Sequence, residues 1–222
     1  MNSLEINNSI KNISIDKSNT IKLMAIVFMI IDHIGIVVFP SYTIFRIIGR
    51  IALPLFAYQL LIGYKNTKNF KGYMTRLGVF ALISQLPYSL LFETTNLNIF
   101  FNLFFTLGIL YSIDKKKYIH IFVIIALIIL LKADYGLYLL LLTLIFKYTD
   151  NKILISSLFM ALNILFVSFL IFSPTQIFSI LALAPIFLIS TIPGVKNLNK
   201  HLFYWFYPVH LMILLFYNLI FN

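Results

Sequence analysis

The chain has no cysteine, which excludes a disulfide framework and any cysteine-based metal site. Charge is nearly as scarce: only 11% of residues are Asp, Glu, Lys or Arg, where an ordinary soluble domain carries about 25%. Acids are the rarer sign, 7 against 17 Lys and Arg, and no acidic magnesium-binding motif is present. A glycine-rich phosphate loop, an HExxH pair and a heptad seam are also missing, so no signature of phosphate-loop, zinc-protease or coiled-coil chemistry is left to follow. The first twenty residues lack the basic-then-apolar-then-small order of a cleaved signal peptide. A short disordered cytoplasmic tail over 1–20 is therefore expected ahead of a retained first helix.

What fills the chain is hydrocarbon. Of its residues 61% are hydrophobic and the mean hydropathy is +0.96, well above the roughly 45–50% apolar content of soluble domains. The composition predicts an all-α, polytopic membrane bundle in which one domain, 21–222, holds about nine transmembrane helices. Apolar runs between polar breaks place them at about 21–39, 44–63, 73–92, 98–113, 119–131, 135–148, 153–172, 176–192 and 202–221. A net charge of +10 raises nucleic acid as a partner, but the basic residues sit between apolar runs rather than along one face. They read as topology determinants. Fourteen fall on alternate loops of one side, leaving Arg46, Arg50 and Lys132 on the other. The expected protein is multi-pass in the cell (cytoplasmic) membrane, with its N-terminus inside and its C-terminus outside.

The first run, IKLMAIVFMIIDHIGIVVF, carries Asp32 and His33 side by side. A carboxylate in hydrocarbon costs about 2.5–3.5 kcal/mol, so Asp32 should face protein or water, and the acid–imidazole pair marks a functional site. Arg46 and Arg50 are four apart, hence on one helix face, at roughly the depth of that pair. They are placed to neutralise Asp32 or to clamp an oxyanion, carboxylate or phosphate. Pro208 is expected to kink the last helix and free the carbonyl of Tyr204, with His210 near the bilayer midplane. Gln85 and Pro87 repeat the device of a polar group beside a helix breaker. Asn98 and Asn102, on one face of the fourth segment, either satisfy freed backbone groups or line a cavity. Lys132 and Asp134 form an outward pair, and Gly35, Gly49, Gly63 and Gly78 read as close-packing positions.

Several blocks together resemble the TraX family, membrane proteins associated with N-terminal acetylation of F-type pilin. They are IKLMAIVFMIIDHIG at 21–35, RIIGRIALPLFAYQLLIGY at 46–64, TRLGVFALISQLPYSLLF at 75–92, NIFFNLFFTLGIL at 98–110, ADYG at 133–136 and FYWFYPVHLMIL at 203–214. The resemblance spans nearly the whole chain. It implies kinship with larger transmembrane acyltransferases that use cytosolic acetyl-CoA to modify acceptors beyond the membrane. In those relatives an intramembrane histidine or arginine near the chain start is central, which His33 and Arg50 match by position and type.

The expected activity is acetyl transfer from acetyl-CoA to an amine or hydroxyl, on a peptide or pilin N-terminus or a glycan. His33 is the expected general base, oriented by Asp32, with Arg50 supporting developing charge; a transient acetyl-His33 is the variant. Arg46, Asn102, Asp134 and His210 are candidate substrate-binding residues. Lys65, Lys68, Lys71 and Arg76 are candidates for the phosphates of acetyl-CoA. No metal is expected. A small proton-coupled transporter or flippase built on Asp32, His33 and Arg50 is the alternative, although no internal repeat supports it. A non-enzymatic assembly partner for a pilus or secreted peptide is a third reading.

Overall fold

The computed structural model describes residues 13–169 and 171–221. The expected tail over 1–20 lies outside the described residues up to residue 12. Further on, the first helix, α1, already runs Ile15–Val37. Ser14 accepts the Lys17 N–H as its N-cap and Asp16 occupies the first turn, so the start is set by capping rather than by hydropathy.

Next come α2 (Thr43–Gly49) and α3 (Ala52–Asn66). The expected continuous helix over 44–63 is therefore broken at Arg50–Ile51. Pro54 explains the break: it has no N–H to give the Arg50 carbonyl, and its ring crowds that group. The following helices are α4 (Phe70–Leu91), α5 (Ile99–Asp114), α6 (Tyr118–Leu130), α7 (Gly136–Tyr148) and α8 (Lys152–Ser168). The expected helix over 176–192 is instead a 3₁₀ segment, Pro174–Ala182, followed by the short α9, Leu183–Phe187. The last helix, α10, spans Lys200–Phe221 and runs through Pro208. Among the described residues no strand forms, only a single bridge between Leu97 and Ala133.

Among the described residues three stretches are long and apolar enough to cross a membrane: Ile15–Val37, Thr43–Asn66 taken through its break, and Phe203–Phe221. Five shorter apolar helical stretches measure 10–17 residues. Outward faces are strongly apolar. On α6 only Ile128 is buried, while Phe122 and Leu130 stand 71% and 75% exposed. Such faces suit lipid rather than water.

The described residues cluster into two compact units within the expected 21–222 domain. One takes the chain up to Asn66 together with Leu141–Leu198; the other takes Thr67–Leu140 and Asn199 onward. In the first unit α1 packs on both α2 and α3, and the 3₁₀ segment packs on α8, α2 and α3. The start of α1 is tied to the 190–195 loop. Thr20 Oγ1 donates to the Pro193 carbonyl at 2.8 Å, Asn19 Nδ2 to the Val195 carbonyl at 3.1 Å, and the Val195 N–H to the Asp16 carbonyl at 3.1 Å. A Cβ on Gly194 would lie 2.6 Å from that of Asp16, so only glycine permits this approach.

In the second unit α4 packs against α5 and α10, and α5 against α6. Its core is aromatic: Phe80 stacks on Tyr204 at 5.3 Å, and Phe100 meets Tyr207 edge-on at 5.0 Å.

Candidate functional site

Asp32 sits on the stripe Ser18, Ile21, Ala25, Met29, Asp32, the buried face of α1. As the cost of lipid exposure demands, it faces protein. The α1–α2 crossing is closed by two glycines. A Cβ on Gly49 would collide with the Asp32 side chain, and one on Gly35 with Phe45 Cβ. That closeness brings Arg46 Nη1 to 2.7 Å from Asp32 Oδ2. Arg50, the C-cap of α2, is also close enough for its charge to act on the carboxylate.

The cluster is not saturated. Among the described residues neither Asp32 Oδ1 nor Arg50 Nε has a hydrogen-bond partner, and both atoms are buried. A buried orphan acceptor and a buried orphan donor each cost about 1–3 kcal/mol, and more when charged. A ligand offering one donor and one acceptor would relieve both. His33 follows Asp32 on α1 and is half-buried. Consecutive helical positions point about 100° apart, so the two side chains do not face one another; the expected support of His33 by Asp32 competes with Arg46 for the carboxylate.

The first unit also buries polar groups that hydropathy passes over. Gln59 Nε2 donates to Ser18 Oγ at 3.0 Å. Gln176 and Ser179 of the 3₁₀ segment and Asn163 of α8 are fully buried, and Ser179 Oγ donates to Asn163 Oδ1 at 3.2 Å. Their one sequence signal is the spacing of Gln176 and Ser179, a single 3₁₀ turn inside an apolar run.

The remaining predicted residues, apart from Lys65, belong to the second unit. Gln85 and Asn98 prove structural. Gln85 Oε1 accepts the Asn98 N–H at 3.0 Å and Asn98 Nδ2 at 2.9 Å; Gln85 Nε2 donates to the Asn96 carbonyl at 2.9 Å. Asn98 Nδ2 also donates to the Ala81 carbonyl at 2.8 Å, and its Oδ1 caps α5 through the Phe100 N–H.

Asn102 is buried, and Nδ2 donates to the Gly136 carbonyl at 3.3 Å. Asp134 accepts the hydroxyl of Tyr88, and Tyr207 lies within reach of its charge. Sequence reading missed both tyrosines, because aromatics in an apolar run look like core. His210 Nδ1 meets the Phe206 carbonyl of its own helix at 3.0 Å and its ring stacks on Phe206. Arg76 Nε donates to Tyr204 Oη at 3.4 Å, with its guanidinium over that ring. Lys68 and Lys71 are exposed, whereas Lys65, in the first unit, is half-buried. No group of three or more His, Asp or Glu side chains gathers to hold a metal among the described residues.

Comparison with known proteins agrees with the blocks read from the sequence. An uncharacterized protein of Rickettsia prowazekii (strain Madrid E) is 40% identical over 80 residues, covering 35% of this chain and 30% of that protein. The probable fimbrial assembly protein FimC, serogroup H1, of Dichelobacter nodosus is 27% identical over 233 residues, covering 87% of this chain and 92% of the relative. No solved structure matches the chain. The TraX protein family matches residues 17–218, nearly the whole length; the chain belongs to the TraX family.

Proposed function

We propose that the protein is a membrane-embedded acetyltransferase, moving an acetyl group from cytosolic acetyl-CoA to an amine or hydroxyl at or beyond the membrane. The observation that carries this reading is the Asp32–Arg46–Arg50 cluster next to His33, in which one buried acceptor, Asp32 Oδ1, and one buried donor, Arg50 Nε, are unfilled among the described residues. Family membership and the fimbrial-assembly name of the Dichelobacter relative favour an acceptor connected with pili.

The reaction joins the acceptor nitrogen or oxygen to the acetyl carbon and breaks the carbon–sulfur bond, so CoA leaves as its thiol. His33 takes the acceptor proton and passes it to the departing sulfur. Arg50 Nε–H, buried and without an acceptor among the described residues, donates to the thioester oxygen as charge gathers there. Arg46 is already committed to Asp32. It occupies Oδ2 of that carboxylate, which leaves Oδ1 to accept from the incoming amine or hydroxyl. The donor enters from the cytoplasmic side, where Lys68 and Lys71 meet its phosphates. This requires a multi-pass protein in the cell membrane with its N-terminus inside.

A non-catalytic part in pilus assembly is the second reading, favoured by the fimbrial relative. One experiment separates the two. Purified protein is incubated with radiolabelled acetyl-CoA and a peptide bearing a free amino terminus, and label on the peptide is counted. His33→Ala should lower transfer by about 10²–10⁴ while leaving CoA binding, read by calorimetry, intact. Transfer at the wild-type rate by His33→Ala removes His33 from the chemistry. Absence of both transfer and CoA binding in the wild type leaves the assembly role.

A further inference from the structure

Helices α7 and α8 meet through two buried rings, Phe146 and Phe159, set edge-on with centres 6.3 Å apart. Their chain neighbours Ile145 and Leu158 already line an open groove of about 520 Å³ between the two helices. Leu162, 7% exposed, forms its floor, while Leu165 and Tyr148 stand 48% and 56% exposed at its rims. The lining is ordered along its length. Where the helices connect it is Tyr148 and Thr149; elsewhere it is Leu, Ile and Ala only. Lys147 sits at that same end, its Nζ 5.4 Å from the centre of the Tyr148 ring and 5.6 Å from that of Tyr64. Both rings attract the ammonium and keep it at the mouth of the groove. Lys152, the first residue of α8, lies just past the connection with its Nζ over the Phe187 ring, and Asp150 is the acid between the two lysines.

We propose that this groove is a phospholipid site, seating one acyl chain along Leu144, Leu158, Leu162 and Leu165 with an anionic headgroup against Lys147 and Thr149. A groove that opens onto hydrocarbon is filled, because walls facing a void forfeit their dispersion contacts. Its size selects the occupant. From Leu141 to Tyr148 it follows seven residues of helix, about 10 Å. A partner helix 10–12 Å across needs roughly 800–1,100 Å³ over that length, well beyond the space here. A methylene takes about the room of a liquid water, roughly 30 Å³, so the groove matches a single acyl chain. An apolar chain already in lipid gains no hydrophobic transfer by entering, and preference has to come from the polar end. Two lysines against one acid favour a phosphate that carries no ammonium of its own. In the proposed topology this is a lipid of the cytoplasmic leaflet. The inference rests on the membrane reading of the chain and not on acetyl transfer.

The test uses the full chain in mild detergent. It is incubated with an equimolar mixture of phosphatidylglycerol, phosphatidylethanolamine and phosphatidylcholine of the same chain length, and retained lipid is identified by native mass spectrometry. The wild type should hold one phosphatidylglycerol about fivefold in preference to either of the others, the value of one lysine beside an anionic headgroup. Lys147→Ala should abolish that preference and Lys147→Arg should keep it. Ala161→Phe, at an exposed lining position, fills the groove and should abolish retention. Ile153→Ala, on the same helix but outside the groove and 78% exposed, should retain lipid as the wild type does. Equal retention of the three lipids, or a preference that survives Lys147→Ala, overturns the headgroup assignment. Retention that survives Ala161→Phe, or is lost equally in Ile153→Ala, overturns the groove as its seat. A dimer that Ala161→Phe dissociates gives the groove to a second copy of the chain and overturns the lipid.

Discussion

The two compact units bury polar groups in opposite ways. In the second, Gln85 and Asn98 are neutral and their hydrogen-bonding capacity is almost fully used, on one another and on the backbone carbonyls of Ala81 and Asn96. In the first, Asp32, Arg46 and Arg50 carry charge, and among the described residues Asp32 Oδ1 and Arg50 Nε have nothing to bond. A saturated neutral network holds helices at low cost. An unsaturated charged one is expensive, and the expense makes sense where a ligand or a developing charge completes it. The contrast is not perfect: in the second unit Asn102 Oδ1, Ser84 Oγ and Thr106 Oγ1 are also unpartnered among the described residues. Those groups are neutral, so their cost is the smaller one.

The largest expected effect breaks the charged side of the comparison. Arg46→Ala leaves Asp32 buried without its cation, which for a fully enclosed pair costs about 3–5 kcal/mol. Arg46 is 27% exposed at its side chain, so the lower end is expected. The midpoint of unfolding in a titration with denaturing detergent should fall accordingly. Replacing both partners, Asp32→Leu with Arg46→Leu, should restore part of the stability, because no buried carboxylate is left without its cation and Arg50 alone remains without a counter-ion, and restore no activity. If the double replacement is as unstable as the single, the pair is not what the first unit is paying to keep.

A smaller effect tests the neutral side. Asn98→Ala removes the cap of α5 and the donors to Ala81 and Gln85. A lost cap is worth about 1 kcal/mol and a stranded buried acceptor another 1–3 kcal/mol or so, giving about 2–4 kcal/mol in all. Transfer per folded molecule, measured below the melting range, should stay at the wild-type level. A specific loss of transfer in Asn98→Ala would place the Gln85–Asn98 network in the chemistry and erase the distinction between the units.

Part of this was legible in the residues. That Asp32 must face protein followed from the cost of charge in lipid, and the α1 stripe places it there. That its carboxylate turns to Arg46 did not follow, since the outcome depends on how closely α1 and α2 approach, and Gly35 and Gly49 decide that. Pro54 carried the break at Arg50, but hydropathy runs through IALPLF without a dip and a proline near a helix start is normally tolerated. An apolar run looks the same at 3.0 and 3.6 residues per turn, so the residues of the 3₁₀ segment predict an ordinary helix. Ser14 and Asp16 carried the early start of α1, which composition, being polar there, assigned to a tail. The division into units rests on α4 packing against α10, a pairing across more than a hundred residues that no local pattern encodes.

The smallest expected effect concerns Lys68 and Lys71, which belong to neither polar centre. Both are exposed at the start of the second unit, and exposed charges are worth about 0.2–1 kcal/mol each in a specific contact. If they meet the phosphates of acetyl-CoA, Lys68→Ala with Lys71→Ala should raise KM for acetyl-CoA by about two- to thirtyfold, the range two such contacts span. The kcat should hold, because the phosphates are remote from the reacting carbonyl. Salt supplies the sharper readout. Charges in water are screened over about 8 Å at physiological ionic strength and about 3 Å at 1 M. The wild type should therefore lose affinity for acetyl-CoA as salt rises, and the double variant should lose much less, so that the two curves converge at high salt. Arg50→Lys should do the reverse, lowering kcat at every salt concentration with KM little changed, since its donor is buried and unscreened. Parallel salt curves for wild type and the lysine variant would leave Lys68 and Lys71 as topology determinants alone.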